Sequence, residues 1–152
     1  MKRTLSALAL LLAGALAHAQ GVSDSQIVLG QSAALTGPAQ ELGKDMQLGA
    51  SLYFQHVNQT GGVNGRKIEL KTLDDGYEPP RAAANTKQLI NEDKVFALFG
   101  YVGTPTSQAA LPIFTDAKVP WHDVAHRFDA HSGSLEPALR EFVRERLQAA
   151  RR

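Results

Sequence analysis

Short apolar runs alternate with stretches of helical period along this chain, and that alternation limits its fold more than any other feature. Residues 26–34 (QIVLGQSAA) form an apolar run without helical period, which predicts a buried strand. Leu35-Thr36-Gly37-Pro38 ends it with turn chemistry. Residues 41–59 predict a helix, with Leu42, Met46, Leu48, Leu52, Phe54 and Val57 recurring at roughly three to four residues. Gly61-Gly62-Val63-Asn64-Gly65 then supplies residues that tolerate positive φ, as a helix cap and a tight turn require.

Residues 67–73 alternate, with Ile68, Leu70 and Thr72 on one face, and predict a second strand that stops at Asp74-Asp75-Gly76. Pro79 and Pro80 suit a helix start, and residues 81–91 continue that helix. Residues 95–99 (VFALF) are apolar throughout, as expected for a strand covered on both faces. Residues 105–118 predict a third helix, with a kink at Pro112, and Val119-Pro120 begins what reads as a fourth strand. The order β-α-β-α-β-α-(β) predicts an α/β fold: a parallel sheet with helices on both faces. There is no internal repeat and no low-complexity segment.

Composition narrows the function classes. The 152 residues are 43% hydrophobic and 20% charged, which is a globular balance. Residues 20–120 carry eight Lys/Arg against ten Asp/Glu, so no basic face invites nucleic acid, and no polybasic stretch invites a membrane surface. Cysteine is absent, which excludes thiol nucleophiles and cysteine-held metals. The start of the chain reads as an export signal. Lys2 and Arg3 precede an apolar run from Leu5 to Leu16, and Ala17-His18-Ala19 fits a small-residue cleavage site. Cleavage after Ala19 would leave Gln20 first and send the chain to the periplasm. Three regions follow: a signal peptide (1–19), an α/β region (20–120) and a tail (121–152).

The tail differs in composition. Residues 20–120 use six Lys and two Arg, whereas residues 121–152 use no Lys, six Arg and three of the five His. Trp121-His122-Asp123 turns polar where a fourth strand should continue. Leu135, Leu139, Phe142, Val143 and Leu147 could line one side of a helix. Either this is a natural closing helix or the chain departs from its original frame or length near Pro120.

In an open parallel sheet, ligands sit beyond the carboxyl ends of the strands. The loop after the third strand, Phe99-Gly100-Tyr101-Val102-Gly103-Thr104-Pro105, is the most informative there. Thr104 suits an N-cap and Pro105 the first helical position. Free amides and the helix dipole at such a terminus favour a carboxylate. Gly103 permits close approach of the backbone, and Thr104 and Ser107 add hydroxyl donors. A plain capped helix is the alternative. Asp74 and Asp75 could serve acid/base or metal chemistry, or simply cap the turn at Gly76.

Four pieces in order, SAALTGPAQELG (32–43), GGVNGR (61–66), Asp74-Asp75-Gly76 and FGYVGTPTS (99–107), resemble type I periplasmic solute-binding proteins of the leucine/isoleucine/valine group. The resemblance runs from Ser25 to about Pro120. It implies the first part of one lobe in a two-lobed binding protein of an ABC importer, with an amino acid or similar small solute and a membrane permease as partners. Such mature chains are more than twice this length, so weak or absent binding by this chain alone is the expectation. The resemblance gives Thr104, with backbone groups of Val102 and Gly103, the task of holding the α-carboxylate and α-amino group. It aligns Leu42 with an aromatic ligand contact, although Leu42 could equally be a core residue of the first helix.

Two rival readings have other signals. His122-Asp123-Val124-Ala125-His126 puts two His at i and i+4, with His131 nearby, in the manner of zinc hydrolases. Asp stands where such helices carry their glutamate base, and Pro120 precedes the motif. The third reading is a ligand-sensing regulator on the same fold, which the export signal disfavours. Nucleophile-elbow and phosphate-loop motifs are missing, so the chain reads as a non-enzyme without a cofactor.

Overall fold

The computed structural model describes residues 19–122. Seven elements follow one another: β1 (Gln26–Ala33), α1 (Gln40–Gln59), β2 (Lys67–Asp74), α2 (Pro79–Asn91), β3 (Ala97–Phe99), α3 (Thr104–Asp116) and β4 (Trp121–His122). All pairings are parallel and the strand order is β2-β1-β3-β4. β1 lies inside the sheet, in full register with β2 from Gln26↔Lys67 to Ala33↔Asp74.

The period of two along β1 sorts two cores. Ile27 and Leu29 pack with Ala50 and Phe54 of α1, Ile68 of β2, and Phe96, Ala97 and Phe99. Leu89 and Ile90 of α2 pack with Val95, Leu98, Tyr101, Ala110 and Phe114 on the opposite face. Gly30 points to this second face, where a Cβ would meet Leu98 at 3.1 Å and Leu89 at 3.2 Å. A side chain on β1 would therefore push α2 away from the sheet. Each large apolar side chain so buried contributes roughly 1.5–3 kcal/mol.

α1 is rotated differently from the expected pattern. Its buried residues are Gly43, Ala50 and Phe54, while Leu42, Leu48 and Leu52 are each 58% exposed. The cause is a close approach. A Cβ on Gly43 would lie 1.9 Å from the carbonyl oxygen of Ala34, so that face of the helix lies directly on the end of β1. Met46, Tyr53 and Val57 complete the inward stripe and the leucines turn outward. Leu42 is thus not a core residue. The glycine turn after α1 forms as expected, with Gly61, Gly62, Asn64 and Gly65 all at positive φ and the Gly62 amide donating to the Val57 carbonyl at 2.8 Å.

β3 is shorter than residues 95–99, because the Val95 amide is taken by the Leu89 carbonyl at the end of α2 (3.1 Å). The fourth strand exists, contrary to the reading that it fails after Pro120. The Leu98 amide donates to the Pro120 carbonyl (2.8 Å) and the Gly100 amide to His122 (3.2 Å). Trp121 stacks on Phe114 at 5.1 Å and His122 stacks on Phe99 at 6.1 Å, one against each core. Two stacked rings stabilise a strand whose sequence alone reads as too polar. No described helix is long and apolar enough to cross a membrane.

Candidate functional site

The strand order fixes where a ligand can enter. The chain moves from β1 to β2 in one direction, then returns across β1 to β3 and β4 in the other. The loops after β1 and β3 therefore diverge, and open α/β sheets bind ligands in the crevice at that reversal. Three loops line it here: residues 34–39, 75–78 and 100–103.

The third loop is held from beneath. Gln31, fully buried in β1, donates through Nε2 to the Gly100 carbonyl (2.9 Å) and accepts through Oε1 from the Thr72 hydroxyl (2.9 Å). One amide side chain thus ties β2, β1 and the loop after β3 together. The Tyr101 side chain is buried, with its hydroxyl 2.8 Å from that of Thr86. Burial pushes the Tyr101 phenol far above its ordinary range, so it stays neutral.

The start of α3 differs from expectation by one residue. Gly103, at φ 99° and ψ 134°, is the N-cap, Thr104 is the first helical residue, and no side chain caps the helix. The hydroxyl of Thr106, rather than Thr104, reaches the loop: it donates to the carbonyls of Val102 (2.6 Å) and Gly103 (2.8 Å). The Ser107 amide donates to the Gly103 carbonyl at 3.0 Å. Pro105 has no N–H, so the amides of Thr104 and Thr106 remain without an acceptor among the described residues. Thr104 is exposed, Gly103 and Ser107 are partly covered, and the Val102 side chain is buried. Gly103, Thr104 and Ser107 therefore meet at one helix terminus. Val102 can contribute backbone only. Leu42 lies in the first turns of α1, exposed beside Gly43, which abuts the end of β1.

Asp74 and Asp75 are structural. Asp74 accepts from the amides of Leu35 (2.8 Å), Thr36 (3.1 Å) and Gly76 (3.0 Å) and from the Thr36 hydroxyl (2.7 Å). Arg81 adds an ion pair at 3.0 Å. Burial alone would raise its pKa, but the hydrogen bonds from Thr36, Gly76 and Leu35 prevail and hold the carboxyl well below the usual carboxylate range. Asp75 accepts from the Ser32 hydroxyl (2.7 Å) and the Tyr77 amide (2.9 Å). Burial, the largest influence, raises its pKa against those hydrogen bonds. The pair clamps the first two loops together, which bears out the turn-capping use and goes beyond Gly76. No local sequence signal marks Gln31 and Ser32, whose partners are 41 to 69 residues away.

Of the histidine motif only His122 falls among the described residues. His122 stacks on Phe99, while Asp123, His126 and His131 lie outside the described residues. No group of three metal-ligating side chains occurs among the described residues.

A parallel sheet reversing at β1/β3, with a helix N-terminus at the reversal, defines an open α/β lobe of the class that takes ligands beyond its strand ends. Residues 26–138 match the periplasmic binding protein family, and the chain belongs to it. The match continues past Pro120. An amino acid binding protein of Pseudomonas aeruginosa is 30% identical over 112 residues, covering 72% of this chain and 30% of that one. The branched-chain amino acid transporter substrate-binding protein of Streptococcus pneumoniae, solved with isoleucine, is 31% identical with a TM-score of 0.62, covering 64% of this chain and 28% of that one. A solute-binding protein of an ABC transporter from R. palustris, solved with benzoate, is 29% identical with a TM-score of 0.58, covering 64% and 26%. The chain thus spans less than a third of the length of these relatives. Its family is one of solute binders placed in the periplasm.

Proposed function

We propose that this chain contributes the first part of one lobe of the substrate-binding component of an ABC importer, which presents a small carboxylate solute to a membrane permease. The observation that carries the reading is the start of α3. The amides of Thr104 and Thr106 lack acceptors among the described residues, at the crevice where the sheet reverses. Backbone donors and the positive end of a helix dipole together select an anion. Isoleucine and benzoate, the solutes of the two structural relatives, share a carboxylate on an apolar body. Branched-chain amino acids and comparable small carboxylates are accordingly the solute class. Gly103, Thr104 and Ser107 hold the carboxylate, Val102 lends its backbone, and Leu42 faces the solute body. Residues 1–19 act as a signal peptide cut after Ala19, and the protein performs no reaction of its own.

One lobe supplies only part of the buried surface that closes over a solute, so affinity falls to about 1 mM, or about 4 kcal/mol. The test is an amide chemical-shift titration of the chain recovered from a bacterial periplasm. Leucine and acetate should shift Thr104 and Thr106, whereas leucinamide, lacking the carboxylate, should not. Equal shifts with leucinamide, or none with any solute, would refute the site. Mass analysis of the recovered chain should give Gln20 as its first residue.

A further inference from the structure

The loop between β2 and α2 brings an aromatic side chain to the same helix terminus. We propose that Tyr77 is a solute-contacting, specificity-determining residue, whose ring forms the wall against which a flat, apolar body attached to the carboxylate lies. The proposal rests on α3 as the carboxylate site and names the solute body that this site prefers.

Three observations support it. The ring sits on the N-cap of α3: a Cβ on Gly103 would lie 2.4 Å from Tyr77 Cε2 and 2.9 Å from Cζ. Glycine at position 103 is therefore what lets the ring come so close to the free amides. Secondly, Tyr77 is 38% exposed, although Gly103 covers part of its ring. Its hydroxyl has no hydrogen-bond partner among the described residues. Thirdly, the backbone is held in an unfavourable conformation to put it there. Tyr77 has φ 67°, a region that costs a bulky side chain about 1–2 kcal/mol. The neighbouring contacts enforce it: the Tyr77 amide donates to the Asp75 carboxylate at 2.9 Å, and the Glu78 amide to the Asp75 carbonyl at 2.9 Å. Strain maintained by a buried carboxylate tends to mark positions with a function.

The chemistry then selects the body. A ring edge-on or offset to a second ring gains about 0.5–1.5 kcal/mol beyond simple burial. Among the described carboxylates at the reversal, Asp74 and Asp75 are engaged by hydrogen bonds and Glu78 is exposed beside Arg81 at 3.9 Å, so none is buried and poised to pair with an ammonium group. This lobe therefore favours an aromatic carboxylate over acetate, which has no ring to lie on Tyr77.

The experiment titrates benzoate and acetate into the periplasmic chain, read at the amides of Thr104 and Thr106 and at the ring protons of Tyr77. Both solutes should shift the amides. Benzoate should half-saturate at about two- to tenfold lower concentration, the range expected for one aromatic pair, and show proton–proton contacts to the Tyr77 ring. Tyr77→Asn, which tolerates positive φ and so keeps the turn, should remove the benzoate advantage and leave the acetate shifts. Tyr77→Phe keeps the packing on Gly103 and should retain the advantage. Equal affinities for the two solutes, or an advantage that survives in Tyr77→Asn, overturns the role of Tyr77 and leaves the carboxylate site standing. Absence of amide shifts with either solute overturns both.

Discussion

At the residue scale, two adjacent aspartates in almost the same turn have opposite electrostatics. Asp74 is hydrogen-bonded from several sides and its pKa is lowered, whereas burial raises that of Asp75. The signs of their effects on stability differ accordingly. A carboxylate with a lowered folded pKa stabilises the fold above its unfolded value, and that contribution is lost as pH falls through the folded pKa. One with a raised folded pKa favours the fold below its unfolded value, and loses that contribution as pH rises through the folded pKa. Asp74→Asn should thus lower stability by about 1–3 kcal/mol at pH 7, the range for losing hydrogen bonds to a charged, partly buried group. The gap between variant and parent should narrow as pH falls well below 3.8, the ordinary value for an aspartate, because the parent's own carboxylate then becomes protonated. Urea unfolding at pH 7 and at progressively lower pH checks this; a gap independent of pH would contradict it. The doublet itself is visible in the sequence, and so is its turn-capping. Its reach to Leu35, Thr36 and Ser32 is not, because those contacts depend on how β1 and β2 come into register.

At the element scale, helices and strands were legible wherever period and turn chemistry agreed. β1, β2 and α2 lie close to their expected bounds. The apolar period locates α1 but not its facing: Met46, Phe54 and Val57 turn inward, while Leu42, Leu48 and Leu52 turn outward. In the structure the glycine decides, because only position 43 allows contact with the Ala34 carbonyl. A second feature of α1 is equally invisible in sequence. Among the described residues β2 pairs with β1 on one side only, and its outer edge is met by Asn58. The Asn58 side chain donates to the Ile68 carbonyl (2.8 Å) and accepts from the Ile68 amide (2.7 Å), as a neighbouring strand would. An open strand edge is a template for association, and this amide occupies it near the start of β2. Asn58→Ala should cost about 1–3 kcal/mol through two unsatisfied backbone groups. It should also raise concentration-dependent association, measured by light scattering during refolding. Unchanged stability together with unchanged scattering would remove Asn58 from this role.

At the scale of the whole molecule, the alternation of elements implied a parallel sheet covered on both faces, and the structure agrees. The strand order was beyond sequence reasoning, because it depends on pairings between residues far apart in the chain. That order is what puts the Thr104 terminus at the reversal. It also changes the significance of Pro120. The shift from lysine to arginine there is real, yet the sheet does not stop at it. Trp121 and His122 hold the outer side of β3, and the His122 carbonyl anchors the amide of Gly100, where the candidate loop begins. Gln31 anchors the Gly100 carbonyl from the other side. Gly100 is thus fixed at both ends of its backbone, and one of those ties lies beyond Pro120. A chain ended at Pro120 keeps three strands but frees the Gly100 amide and the Phe99 ring face that His122 covers. Amide exchange at Gly100 should accelerate at least tenfold in that shortened chain, since exchange tracks local opening. The acetate-induced shifts at Thr104 and Thr106 should weaken with it, as the loop loses its fixed geometry, while Ile27 and Leu29 in β1 keep most of their protection. Equal exchange and equal shifts in the two chains would mean that the lobe ends functionally at Pro120 and that β4 adds nothing to the site.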